Sequence, residues 1–183
     1  MSGVVDIESM TSEEYKKYIT RVYGERGQQE IFDGCEVELS NGESYWFTYN
    51  FEDQLNLLSA LSTIMLAQDM TIEIPYHSHH QPCQMYAAVD LIRIYVGLQA
   101  HSIEVQTRVN MLNNWIRSLN DKEQMKQIAY DSELASPYRE KYLSVMASSA
   151  SMIQSILERI LPKPADDGQT EPELDPVEGD PDE

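Results

Sequence analysis

The spacing of apolar side chains divides the chain into helical and extended stretches. Thr11-Ser12-Glu13-Glu14 has the pattern of a capping box, in which the Thr11 hydroxyl accepts from the Glu14 amide and the Glu14 carboxylate reaches back. Tyr15, Tyr18, Ile19 and Val22 then follow at helical spacing, and Gly24 tolerates a left-handed C-terminal cap, so a short amphipathic helix over about 12–24 is expected. Val37 and Leu39 precede Asn41-Gly42, and Tyr45, Phe47 and Tyr49 follow it, which predicts a β-hairpin over 35–49. Either Tyr45 and Phe47 or, in the opposite pleat, Trp46 should face the core. Asn50 is placed to cap a second helix, in which Leu55, Leu58, Ala60 or Leu61, Met65 and Leu66 lie near one face, ending near Asp69.

Thr71 to Tyr76 alternates, His77 to Gln81 can turn, and Cys83 to Tyr86 can return, a second small hairpin with Pro75 and Pro82 at its edges. From Ala87 the chain lacks proline until Pro137, while Val89, Ile92, Val96, Ile103, Met111 or Leu112 and Trp115 or Ile116 keep a helical rhythm to Leu119. Asn120 or Asp121 caps a short helix ending near Ser132, and Ser136-Pro137 opens a last helix running to Leu161, with proline at its first position. The predicted class is α+β and mostly helical. The expected organisation is an N-terminal helical segment over 1–34, an α+β domain over 35–132, a C-terminal helix over 133–161 and a disordered acidic tail over 162–183.

Charge changes the picture most at that tail. Of a formal net charge of −18, −8 lies after Leu161, where nine acidic residues meet Lys163 alone. Five of the eight prolines fall there too, and so few apolar groups cannot offset the entropy of ordering. The default reading is a solubilising extension, and the functional one an electrostatic clamp for a basic partner. The overall charge argues against nucleic acid and anionic membranes as partners. Two cysteines, Cys35 and Cys83, cannot build a disulfide framework and are expected to remain thiols. The first residues lack the basic and apolar regions of a signal peptide, and no stretch of roughly 18 apolar residues suggests a membrane span, so a soluble chain is expected.

Chemistry-bearing patterns are sparse. His77, His79, His80 and Cys83 form the one cluster of metal-ligand types, but the spacing is nonspecific and only Cys35 and His101 remain as further donors. A polar turn outweighs a metal site, and no cofactor is expected. Neither a nucleophile elbow, a phosphate loop nor a Walker lysine appears, so the chain reads as non-enzymatic. Tyr45, Trp46, Phe47, Tyr49 and Phe51 read more readily as core with one amphipathic edge than as a stacking surface. The strongest interaction pattern is in the last helix, where Leu143, Met146, Ala150, Ile153, Leu157 and Ile160 follow a heptad seam. Two readings stay open there, a helix docked on its own chain and a helix that self-associates or docks a partner.

The run YWFTYNFEDQLNLLSALSTIMLAQDMTIEIPYHS, followed by DLIRIYVGLQAHSIEVQTRVNMLNNWIRSLNDKEQMKQI, resembles an uncharacterised domain of bacteriophage and prophage tail-fibre and tail-associated proteins. The resemblance rests on Tyr45, Trp46, Phe47 and Tyr49 in the strand, on Asp53 to Asn56 opening a helix, and on the order of the elements over about 43–130. Where that family carries a basic or tryptophan-bearing strand, this chain has HSHHQPCQMY. The resemblance implies a non-enzymatic virion component, made in the host bacterial cytoplasm and placed at the baseplate or fibre attachment of the tail. Its implied partners are other tail, baseplate or fibre proteins, with several copies or a homo-oligomer in the particle. A tail-fibre assembly chaperone or adaptor that leaves before maturation is the alternative.

Overall fold

The computed structural model describes residues 6–160; the segment 162–183, expected to be disordered, and the Ile160 side chain lie outside the described residues. The order of elements is α1 (Ser12–Asp33), β1 (Cys35–Glu38), β2 (Ser44–Phe47), α2 (Phe51–Ala67), β3 (Glu73–Tyr76), β4 (Gln84–Ala87), α3 (Ala88–Ser118), α4 (Lys122–Lys126) and α5 (Tyr138–Ile160). The protein is therefore α+β, with two small antiparallel hairpins, a long helix and a C-terminal helix.

α1 starts as the capping box dictates: Thr11 Oγ1 accepts from the Glu14 amide at 3.3 Å, and Glu14 accepts from the Thr11 amide at 2.8 Å. It does not end at Gly24. The helix runs to Asp33 because its buried stripe continues at four-residue steps through Tyr15, Ile19, Tyr23, Gly27 and Ile31. Gly27 holds a core position where a side chain would not fit, since a Cβ there would lie 2.7 Å from Val109 of α3. The terminating glycine is Gly34, whose φ of 75° and amide bond to the Ile31 carbonyl close the helix. Gly34 is also pressed against β2, where a Cβ would stand 1.8 Å from the Phe47 carbonyl oxygen.

The first hairpin pairs Cys35 with Phe47 and Val37 with Tyr45. Gly42 takes φ 82° in its turn, and Asn41 Oδ1 accepts from the Glu43 amide at 2.9 Å. The Phe47 pleat faces inward: Phe47 is 1% exposed and Trp46 49%. The second hairpin pairs Ile74 with Tyr86 and Tyr76 with Gln84. His79 links the two hairpins by donating its amide to the Trp46 carbonyl at 2.8 Å. α2 opens on Asn50, whose side chain accepts from the Glu52 and Asp53 amides, and closes on Gln68 in the left-handed region.

α3 is the axis of the fold, about 46 Å long at 1.5 Å per residue. One cluster of buried residues surrounds it, drawing Tyr15 to Ile31 from α1, Val37 and Phe47 from the first hairpin, Leu57, Ala60 and Ile64 from α2, Tyr76 and Tyr86 from the second hairpin, Met125 from α4, and Ile128, Tyr130 and Leu134 beyond it. α4 is shorter than the helix to Ser132 that its sequence predicts. The Tyr23 hydroxyl takes the Ile128 carbonyl at 2.5 Å, Ser132 Oγ takes the Ala129 amide at 2.8 Å, and Arg108 takes the Tyr130 carbonyl at 3.0 Å. Backbone groups that would continue the helix are engaged instead in two tertiary bonds and one local turn bond.

Candidate functional site

α5 runs antiparallel to α3 and packs along it, with Tyr138 stacked near Trp115 at one end and Ile153 and Ile156 beside Ile92 and Val96 at the other. The heptad seam thus has an internal neighbour in α3, as in the first of the two readings the sequence left open. The docked stripe is Tyr142, Met146, Ser149, Ile153 and Leu157, all buried or half-buried, while the seam residues Leu143 and Ala150 are exposed. Met146, Ile153 and Leu157 of the seam therefore lie in the contact, which is completed by Tyr138, Tyr142 and Ser149, residues a heptad of aliphatic positions passes over. On the other flank Val145, Met152 and Ile156 remain between 40% and 52% exposed.

α2 departs from expectation in a similar way. Its buried side chains are Asp53, Leu57, Ala60 and Ile64. Leu55, Leu58, Met65 and Leu66, read from the sequence as one apolar face, stand 56–85% exposed. The helix is apolar nearly all round, and periodicity alone does not say which of two apolar faces meets the core.

These two exposures meet. Between the C-terminal half of α2, the N-terminal half of α3 and the end of α5 lies a cavity of about 680 Å³, lined by Leu58, Leu61, Ile64, Met65, Met70, Ile92, Tyr95, Val96, Ile103, Met152, Ile153 and Ile156. Its polar lining is Gln68, Asp69 and Gln99, with Asp69 the one charged residue. At a 100° step, Leu61, Met65, Leu58, Phe51, Leu55 and Leu66 succeed one another around α2, so the apolar surface continues from the groove onto the outer face of the helix. Contiguous exposed apolar surface of this kind marks contact sites.

A second constellation joins residues that no sequence pattern linked. Arg108 of α3 grips the Glu30 carboxylate of α1 at 2.8 and 3.1 Å. The Tyr130 hydroxyl donates to the same carboxylate at 2.5 Å. The Arg26 and Arg108 guanidinium carbons lie 4.1 and 4.4 Å from the centre of the Tyr130 ring, one cation–π partner each. Burial and then the bond to Glu30 push the Tyr130 hydroxyl up to about 12. His101 meets the Glu30 carbonyl at 3.2 Å, and Trp46 donates its indole N–H to the Asp33 carbonyl at 2.6 Å. These residues line a cavity of about 580 Å³ in which opposite charges engage one another, so the cluster acts as a clamp between α1, α3 and the chain after α4. Glu30, Arg108 and Tyr130 are up to 100 residues apart, and no local signal connects them.

The histidine cluster folds as a turn. His77 stacks on Tyr76, the His79 and His80 rings lie 3.7 Å apart, and His80 takes φ 59°. His77 and Cys83 line one cavity of about 240 Å³ with Asn56, Ser59 and Thr63, and His79 does not join them. Among the described residues no group of three or more His, Cys, Asp or Glu side chains is placed to hold a metal ion. Cys35 and Cys83 are free thiols, and Cys35 is raised above the usual thiol range by burial. No helix among the described residues is long and apolar enough to cross a membrane.

In comparisons with known proteins, no family model, no curated protein and no solved structure matches this chain. The tail-protein resemblance therefore rests on the residues quoted for it alone.

Proposed function

We propose that this chain is a non-enzymatic structural component of a phage or phage-like particle tail, at the baseplate or fibre attachment, and that it works through protein–protein contacts. The observation that carries the contact role is the apolar groove between α2, α3 and α5, whose walls continue onto exposed Leu55 and Leu66. The tail assignment draws on the aromatic strand Tyr45 to Tyr49 running into the helix at Asp53 to Asn56.

Quantitative mass spectrometry of purified particles tests it. Stoichiometric presence alongside the baseplate and fibre proteins is the expected outcome. Presence in infected-cell lysate with absence from the particle would replace the structural role with that of an assembly chaperone or adaptor.

A further inference from the structure

α2 carries two apolar stripes, and the fold uses one of them. Leu57, Ala60 and Ile64 turn toward the core and are buried. On the other side Phe51, Leu55, Leu58, Ser62 and Met65 succeed one another at steps of four, three, four and three, the spacing of a seam that pairs with another helix, and every one of them is exposed. From Gln54 to Gln68 α2 has no charged residue, and from Tyr142 to Leu157 α5 has none either. In a chain with 24% charged residues, two neighbouring helices whose outer sides lack charge depart from the usual composition of a solvated face. The charges bordering the groove are of both signs: Asp69 in its wall, Arg93 next to Ile92 on α3, and Glu158 and Arg159 at the end of α5. Arg159 is exposed and lies seven residues after Met152, about two turns on and on the same side of α5.

From this arrangement we propose that the open flank receives a second copy of the chain, in a two-fold dimer in which the outer seam of α2 of each copy lies in the groove of the other. The inference rests on the contact role proposed above and names the partner. Shape fits this occupant: a helical ridge and a groove lie side by side on one face, and a two-fold axis between them brings ridge to groove twice, as an isologous interface requires. Charge fits it, because the centre of the face is neutral and its border mixed, so two chains of net charge −18 meet where like charges do not oppose them. Area fits as well. The exposed parts of Phe51, Leu55, Leu58, Met65, Met152 and Ile156 amount to on the order of 800 Å², what each partner gives to an interface of standard size. The 162–183 segment of the same chain is a poorer occupant, with five prolines that a paired helix does not accommodate and with Leu174 and Val177 as its only large aliphatic side chains. A helix of another protein matches the apolar seam, but a neutral face has no charge with which to select it. Away from the contact the two copies repel, so half-association is expected on the order of 10 μM, and below about 1 μM the chain is a monomer with its open flank in water.

Sedimentation velocity on the full chain between about 1 and 200 μM should show monomer passing to dimer and nothing larger, since a two-fold contact closes on itself. Leu55→Gln/Leu58→Gln alters the ridge and Met152→Gln the far wall of the groove. Both change exposed side chains, so their circular dichroism should match the parent, and each should raise the half-association concentration about tenfold or more. Leu143→Gln is the control: Leu143 is also exposed, but nine residues before Met152 it lies on the opposite side of α5, and the change should be less than about twofold. Raising salt from about 0.05 to 0.5 M should leave association unchanged or strengthen it, because screening acts on the like charges and not on the apolar seam. A chain still monomeric at about 200 μM would overturn the proposal and leave the groove to a helix of another protein. So would a dimer that the ridge and groove variants do not weaken, or one that salt weakens about tenfold, which ion pairs elsewhere would hold together. None of these results bears on the tail assignment, which particle mass spectrometry decides independently.

Discussion

The two flanks of α3 solve the same packing problem in opposite ways. Against α1 the contact is closed: Gly27 lets the helices approach until Val109 fills the position a side chain would take, and the polar groups nearby, Glu30, Arg108 and Tyr130, satisfy one another. Against α2 and α5 the contact is open. Those helices bury only part of their apolar surface, and the gap between them leaves Met65 and Met152 at 77% and 52% exposure. A buried apolar side chain is accounted for by the stability it brings, whereas an apolar side chain left in water on a helix with polar alternatives is not. The closed flank therefore holds the fold together, and the open flank is the one on which the proposed contact role rests.

The sharpest way to break the comparison is on the closed flank. Gly34→Ala places a Cβ 1.8 Å from the Phe47 carbonyl at a φ of 75°. Backbone strain and overpacking each cost roughly 1–3 kcal/mol, so a loss of about 3–5 kcal/mol is expected, read from urea denaturation. A variant as stable as the parent would mean that α1 and the first hairpin are not locked together.

The clamp at Tyr130 gives the next effect, and it depends on pH. Burial raises the hydroxyls of Tyr15, Tyr23, Tyr49 and Tyr76 above 10.0, and Tyr130 reaches about 12. Below pH 10 folded and unfolded chains both keep these protons, and stability is unaffected. Between about pH 10 and 12 the unfolded chain releases protons that the folded chain retains, so stability falls as pH rises. Denaturation midpoints followed alongside tyrosinate absorbance should be level to about pH 10 and then decline. Tyr130→Phe removes a bond to a carboxylate whose side chain is 37% exposed. Discounted for that solvent access, it should cost about 1 kcal/mol at neutral pH and make the alkaline decline shallower.

What the sequence disclosed was local. The caps at Thr11, Asn50 and Asp121 and the Asn41-Gly42 turn all form within a few residues, and all are present as expected. What it hid was tertiary. Gly24 reads as the cap of α1, but the helix continues to Asp33, and its stripe passes through Gly27, where Val109 takes the space a side chain would need. Past α4, Tyr23 and Arg108 take the Ile128 and Tyr130 carbonyls, and nothing between Lys122 and Ser132 announces those two partners. The candidate site was legible in part. Ile153 was singled out and does line the groove, yet its companions Met152 and Ile156 lie off the heptad, and the α2 face grouped from Leu55, Leu58, Met65 and Leu66 is largely exposed.

The smallest expected effect is the most informative about the open flank. Leu66 is 85% exposed, and its side chain lies on the outer arc of α2, away from Leu57, Ala60 and Ile64 that face α3. If that arc contributed to folding, replacing the leucine with a polar residue would cost on the order of 1 kcal/mol or more, the value of burying several methylenes. If it serves contact with another molecule, the isolated chain gains nothing from it. Glutamine matches leucine in helix propensity to within a few tenths of a kcal/mol, so the backbone does not distinguish the two variants. Leu66→Gln should therefore shift the unfolding free energy by less than about 0.5 kcal/mol, the range of a surface change. The same variant should reduce the fluorescence of an apolar dye that reports exposed hydrophobic surface, because one wall of the continuous patch has been removed. A loss of stability beyond 1 kcal/mol, or dye fluorescence equal to the parent's, would make α2's outer face part of the fold and close the contrast between the two flanks of α3.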